Sequence, residues 1–210
     1  GLITAEFLPA SLLTPMAASL GVTEGMAGQA VTATALVALV TGLLITPATK
    51  SIDRRWVLMF VSVLQIITSL LVAFSPTLHV LLGGRLLLGV AIGGFWAMST
   101  ATAMRLVSAD KVPKALAVIF SSVSIATVVA APLGSYLGSL IGWRNVFILC
   151  IVPSVAALLW QVWVLPSMKP ESSGSLGTLF RVLRRPGMIG GMLATILIFI
   201  GHFAFFTYLR

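Results

Sequence analysis

Seven apolar segments, separated by short charged or turn-rich stretches, constrain this chain more than any other feature. They run roughly Gly1–Leu20, Gly28–Thr49, Trp56–Phe74, Val80–Met104, Ala115–Leu140, Val146–Leu165 and Gly187–Leu209. At ~1.5 Å per residue the fourth spans ~37 Å, against a bilayer hydrocarbon core of roughly 30 Å. With 59% hydrophobic and 9% charged residues, a soluble domain of this length has too little interior to hide its apolar side chains, so lipid must solvate much of the surface. Backbone polar groups in lipid must be satisfied within each segment, which leaves helices as the spanning element. The short loops predict antiparallel neighbours in an all-helical bundle.

The net charge of +8 does not point to nucleic acid, because the cations sit in the loops. One set of alternate loops collects Lys50, Arg54, Arg55, Arg105, Lys111, Lys114, Lys169, Arg181, Arg184 and Arg185; the other holds Arg144 and Arg210. Ten against two places the first set, and the N-terminal side, in the cytoplasm. The expected organisation is an N-terminal transmembrane half over 1–165, a cytoplasmic linker over 166–186 and a seventh helix over 187–210 that opens a second half. The first span reads as clipped at its start, and the chain as an interior piece of a longer protein.

The remaining cation, Arg85, lies within the fourth apolar run. Burying it costs about 3 kcal/mol on insertion scales, so it should face the protein interior or a wet cavity. The ionisable partner at depth is Glu6 in the first segment, near Pro9 and Pro15, which should break or kink that helix. A desolvated carboxylate beside a guanidinium can exchange a proton as its surroundings change, making Glu6 and Arg85 the expected proton-coupling pair. Gly89 and Gly93 follow Arg85 at helical spacing, and Gly134, Gly138 and Gly142 form a second strip; small residues let helices approach closely. Pro132 should kink the fifth span. Candidates for binding a planar polar solute are Gln29, Thr32, Phe95, Trp96 and Tyr136, with Thr34, Gln65, Ser121 and Ser122 behind them; His202 reads as a polar bundle contact. Trp96 lies about three turns beyond Arg85, on nearly the same face. Lone Cys150 offers no disulfide. HExxH, phosphate-loop and CxxC patterns are absent from the sequence, so neither enzyme, metal site nor cofactor is expected.

A weak internal repeat is visible. Ile52-Asp53-Arg54-Arg55-Trp56-Val57 opens the third span and Ile141-Gly142-Trp143-Arg144-Asn145-Val146 the sixth, with isoleucine, arginine and valine in step on opposite membrane faces. Such inversion is what inverted-repeat transporters show.

Several of these runs together resemble the major facilitator superfamily over essentially the whole chain. The turn Asp53-Arg54-Arg55 resembles its signature cytoplasmic loop, shortened and with Thr49 where glycine is usual. Arg85 through Gly94 matches the fourth-helix motif linked to proton coupling. Ala131-Pro132-Leu133-Gly134-Ser135 resembles the fifth-helix antiporter motif, with Ala131 in place of the commoner glycine. Trp143-Arg144-Asn145-Val146-Phe147 matches the turn opening the sixth helix. The resemblance implies two inverted three-helix repeats in a bacterial inner membrane, with Asp53, Arg54, Arg55, Gly89, Gly93, Pro132 and Gly134 serving the conformational change. It implies a drug- or metabolite-type proton antiporter. The runs Glu6–Pro9, Ser11–Met16, Gly94–Ser99 and Phe203–Tyr208 narrow this toward members that export purine ribonucleosides such as inosine and guanosine. Sugar or multidrug efflux on the same fold, and a passive facilitator, stand as alternatives. The partners so implied are a small-molecule substrate, protons and membrane lipid, without nucleic acid; the expected unit is a monomer.

Overall fold

The structure, a computed structural model, describes residues 1–169, 177, 181 and 184–208, with side chains up to residue 201. It divides into two units, Gly1–Pro170 and Glu171–Arg210. The first is built of α1 (Leu2–Leu20), α2 (Glu24–Ala48), α3 (Arg54–Ala73), α4 (Leu78–Leu106), a 3₁₀ turn (Ala109–Lys111), α5 (Val112–Ile141), α6 (Trp143–Leu149) and α7 (Ile151–Val164). The second contains α8 (Met188–Tyr208). No strand occurs among the described residues. Among the described residues six spans are long and apolar enough to cross a membrane, α6 and α7 together making the sixth.

Helix ends fall where the local chemistry allows. Gly21 takes the left-handed conformation (φ 64°), closing α1 with amide bonds from Gly21 to Ala18 O and from Val22 to Ala17 O. That turn satisfies carbonyls the helix would otherwise leave bare, at a conformation glycine adopts freely. Thr23 caps α2 through the Met26 amide and Asp53 caps α3 through the Arg55 amide. The sixth span is interrupted at Cys150 because Pro153, with no N–H, cannot donate to the Leu149 carbonyl one turn back. Pro9, Pro15 and Pro132 do not break their helices; α1 and α5 run through them. A proline removes one bond of the ladder, and the packed neighbours keep the helix in register.

The packing exchanges partners symmetrically. α2 lies mainly on α4 and α5 on α1, while α3 packs against α6 and α7. This is the arrangement expected when α1–α3 and α4–α7 are two copies of one three-helix unit turned over. The main core, with Leu8, Leu12, Met16, Leu81, Val146 and Phe147 buried, joins α1, α4 and α6. α3 and α4 are half buried, whereas α2 and α5 bury little.

The repeat matched in sequence reappears as reciprocal bonding. Arg55, opening α3, donates from Nη2 to the Val162 carbonyl near the end of α7 at 2.8 Å. Arg144, at the aligned position opening α6, donates from Nη2 to the Ser75 carbonyl just past the end of α3 at 3.0 Å. Each cation thus meets the negative end of the antiparallel partner. Arg144 also lies over the Trp143 ring, 4.3 Å from its centroid, and the Trp143 indole donates to Ser19 Oγ at 2.9 Å.

Candidate functional site

Arg85 sits on α4 with 0% of its surface exposed. It does not snorkel to an interface. Nη1 donates to the Ala5 carbonyl at 2.8 Å and Nη2 to the Glu6 carbonyl at 3.3 Å, both on α1. Ala5 is four residues before Pro9, so its carbonyl lacks the usual helical donor and the guanidinium takes that place. On α2, Thr34 Oγ1 donates to Ala30 O at 2.7 Å and lies 3.1 Å from the Arg85 carbonyl, tying α2 to α4 at the same level. Glu6 is half-buried, and the guanidinium bonds its backbone carbonyl. The two ionisable residues of these spans are therefore neighbours through the α1 backbone, with the cation held by backbone dipoles.

The glycines define where helices meet most closely. A Cβ on Gly89 would lie 2.6 Å from the Thr34 carbonyl oxygen and 2.8 Å from Val37 Cβ. One on Gly93 would collide with the Ala38 carbonyl and lie 2.9 Å from the Gly42 amide nitrogen. The α2–α4 seam is thus backbone against backbone. On α5, Gly134 and Gly138 face the ends of Leu8 and Leu12 of α1, which are flexible side chains. Pro132 is exposed beside this second seam.

The aromatic and amide candidates separate. Trp96 packs with Leu2, Ala5, Leu88 and Ile92, on the side of α4 that meets α1, and its ring stacks on Phe120 of α5 at 6.0 Å. Phe95 meets Trp96 edge-on at 5.7 Å and turns into a cavity of about 280 Å³ shared with Gln65, Ser122, Ser62 and Gln161. Gln65 is buried; its amide nitrogen reaches Ser69 Oγ at 3.4 Å while Oε1 has no protein partner. Ser62 donates to Gln161 Oε1 at 2.9 Å. Gln29 and Thr32 are exposed on α2, Tyr136 is 63% exposed on α5, and none of the three lines this cavity. Ser121 is exposed, and the side chain of His202 lies outside the described residues. The Ser62–Gln161 bond and the stacking of Phe120 on Trp96 were not apparent in sequence, because each joins helices far apart in the chain.

At the predicted cytoplasmic end, Asp53 binds the segment following α7. Oδ1 accepts from the Met168 amide at 2.9 Å and from the Arg55 amide at 2.9 Å, and Oδ2 accepts from the Ser167 hydroxyl. The Ser167 hydroxyl, with the two amides, holds the Asp53 carboxyl below the usual carboxylate range against a smaller opposing effect of desolvation. Arg54 N donates to Met168 O at 3.2 Å, Arg105 Nη1 donates to Lys169 O at 3.0 Å, and Met168 is buried among Val57, Leu58 and Met98. The first residues of the stretch expected to be a cytoplasmic linker are therefore docked on α3 and α4, and the first unit extends to Pro170. The apolar Met168 side chain supplies the reason, filling a space between α3 and α4.

Residues 2–210 match the Major Facilitator Superfamily. The chain is similar to the "Purine ribonucleoside efflux pump NepI" of Salmonella typhimurium (strain LT2), with 53% identity over 209 residues, covering 100% of this chain and 53% of that protein. It is 54% identical over 209 residues to the protein of that name from Escherichia coli (strain K12), with the same coverage. The chain spans about half the length of the curated relatives it matches.

Proposed function

This chain belongs to the major facilitator superfamily, and we propose that it forms one half of a proton-coupled antiporter exporting small polar metabolites, purine ribonucleosides foremost. The observation that carries this reading is the buried Arg85 held against α1 beside Glu6. A passive facilitator gains nothing from an intramembrane cation, which is costly to bury. An antiporter needs a titratable group whose charge state is tied to substrate occupancy, and Glu6 beside Arg85 supplies one. The nucleoside assignment draws on the names of relatives identical at about half of the 209 matched residues. Phe95 and Trp96 are the surfaces on which a base could stack, worth about 1–3 kcal/mol where bases stack on aromatic side chains, and Gln29, Thr32 and Tyr136 would contribute from the exposed faces of α2 and α5. The close seams at Gly89, Gly93 and Gly134, with Pro132 and the clasp made by Asp53, Arg54 and Arg55, would let the half rock as one body. The working unit in this reading is a monomer.

The test is export by the intact protein from cells or vesicles, with and without an imposed proton gradient, over a panel of inosine, guanosine, arabinose and lipophilic cations. Gradient-dependent efflux of inosine and guanosine is expected, together with better growth on toxic purine nucleosides. Efflux confined to sugars or to lipophilic cations would sink the nucleoside assignment and leave the antiporter.

The reading also places the start of α1 and the 105–114 stretch in the cytoplasm of a bacterial inner membrane. A cysteine introduced at Asp110 should react with a membrane-impermeant maleimide only after the cells are opened, whereas one at His79 should react in intact cells. The opposite pattern would invert the topology.

A further inference from the structure

We propose that Pro9 is a positioning residue for the Glu6–Arg85 pair: by withholding an N–H from the Ala5 carbonyl, it leaves that oxygen to hold the Arg85 guanidinium whatever the charge on Glu6. In an unbroken helix the carbonyl of residue 5 accepts from the amide of residue 9. Proline has no amide hydrogen, so the Ala5 oxygen is left open inside a packed bundle, where an unpaired carbonyl is costly. Arg85 Nη1 fills that place at 2.8 Å, and Nη2 reaches the neighbouring Glu6 carbonyl at 3.3 Å. The same helix carries a built-in comparison. Pro15 frees the Ser11 carbonyl in the same way, and neither of the two bonds made by Arg85 goes there.

The choice of acceptor matters. Were Arg85 held mainly by the Glu6 carboxylate, a proton arriving on Glu6 would release a desolvated cation with nothing in its place. Carbonyl dipoles do not titrate, so the cation stays where it is and the carboxylate is free to take up or lose a proton. The other ionisable groups on the helices packed around this point lie at helix ends or on exposed faces: Glu24, opening α2, accepts from Thr14 Oγ1 at 2.6 Å, Arg54 and Arg55 open α3, His79 and Arg105 lie in the first and last turns of α4, Lys114 lies in the first turn of α5, Tyr136 is exposed on α5, and Arg144 opens α6. The functional consequence rests on the antiporter reading above; the hydrogen-bond assignment does not.

A double-mutant cycle on the full-length protein separates the two. Proline to alanine inside a helix ordinarily stabilises it, since a backbone bond is restored. With Arg85 replaced by methionine the Ala5 carbonyl is left bare, so Pro9→Ala should raise the unfolding temperature in detergent. In the parent the new amide competes with the guanidinium for one oxygen, and Pro9→Ala should lower it. Pro15→Ala should shift the unfolding temperature alike in both backgrounds. Equal shifts for Pro9→Ala in both backgrounds, or the same background dependence for Pro15→Ala, would overturn the assignment. In proteoliposomes Pro9→Ala should cut gradient-driven nucleoside export about tenfold, the scale of one lost charged hydrogen bond, while gradient-free exchange stays within twofold. Unchanged export, or equal loss of export and exchange, would refute the positioning role. Should the parent itself fail to export against a gradient, the antiporter reading falls while the thermal cycle still decides the bond.

Discussion

Gly93→Ala is expected to destabilise the protein by about 3 kcal/mol and abolish transport, although it adds a single methyl group to a helix. The new Cβ would meet the Ala38 carbonyl, with the Gly42 amide nitrogen and Thr41 Cβ each 2.9 Å away. Two of these are backbone atoms that no rotamer change can move, so α4 must back away from α2 and the cost is that of an overpacked core. Three contrasts make the expectation specific. Gly89→Ala meets the Thr34 carbonyl at 2.6 Å and should behave similarly. Gly134→Ala presses on the end of Leu8, which can rotate, and should cost less. Gly83→Ala has nothing within 4 Å and should gain up to about 1 kcal/mol from the reduced freedom of the unfolded chain. Thermal unfolding of the four variants in one detergent checks the order. A Gly93→Ala protein as stable as Gly83→Ala would mean the two backbones do not meet as described.

Replacing the charges of the intramembrane pair should separate coupling from binding. Glu6→Gln keeps the shape of the side chain and removes its titration, so gradient-driven export should fall more than a hundredfold while substrate exchange across a pH-balanced membrane persists within severalfold. The Arg85 guanidinium should remain in place, since it is held by the Ala5 and Glu6 carbonyls. Arg85→Ala should abolish both activities. It empties a fully buried volume and leaves the Ala5 carbonyl without its donor, and an unsatisfied buried acceptor alone costs about 1–3 kcal/mol. Proteoliposomes with radiolabelled inosine, assayed with and without a pH step, distinguish these outcomes. Export by Glu6→Gln at the parental rate would remove Glu6 from the coupling role.

Much of this protein is written in patterns that need no partner to be read. Segment length and polarity determine that the chain spans a membrane, because lipid imposes the same requirement on every segment separately. The isolated charge at Arg85 predicts a position held inside the bundle for the same reason, and there the structure buries it; the alternation of cationic loops sets the expected orientation before any packing is considered. Even the repeat linking Arg55 and Arg144 lies in the linear order, and the structure gives the two arginines equivalent carbonyl acceptors. What tertiary structure decided is which atom each of these residues finds. The likeness of Gly89, Gly93, Gly134 and Gly138 in sequence hides their difference, since the first two face backbone and the others face rotatable leucines. Prolines expected to break or kink α1 leave it unbroken, and one of them turns the Ala5 carbonyl into the seat of Arg85. The sequence around Met168 reads as linker because its polar neighbours dominate locally, yet a space between α3 and α4 buries that side chain. Contacts of this kind depend on where distant helices stand relative to one another, and no local pattern in a chain encodes that distance.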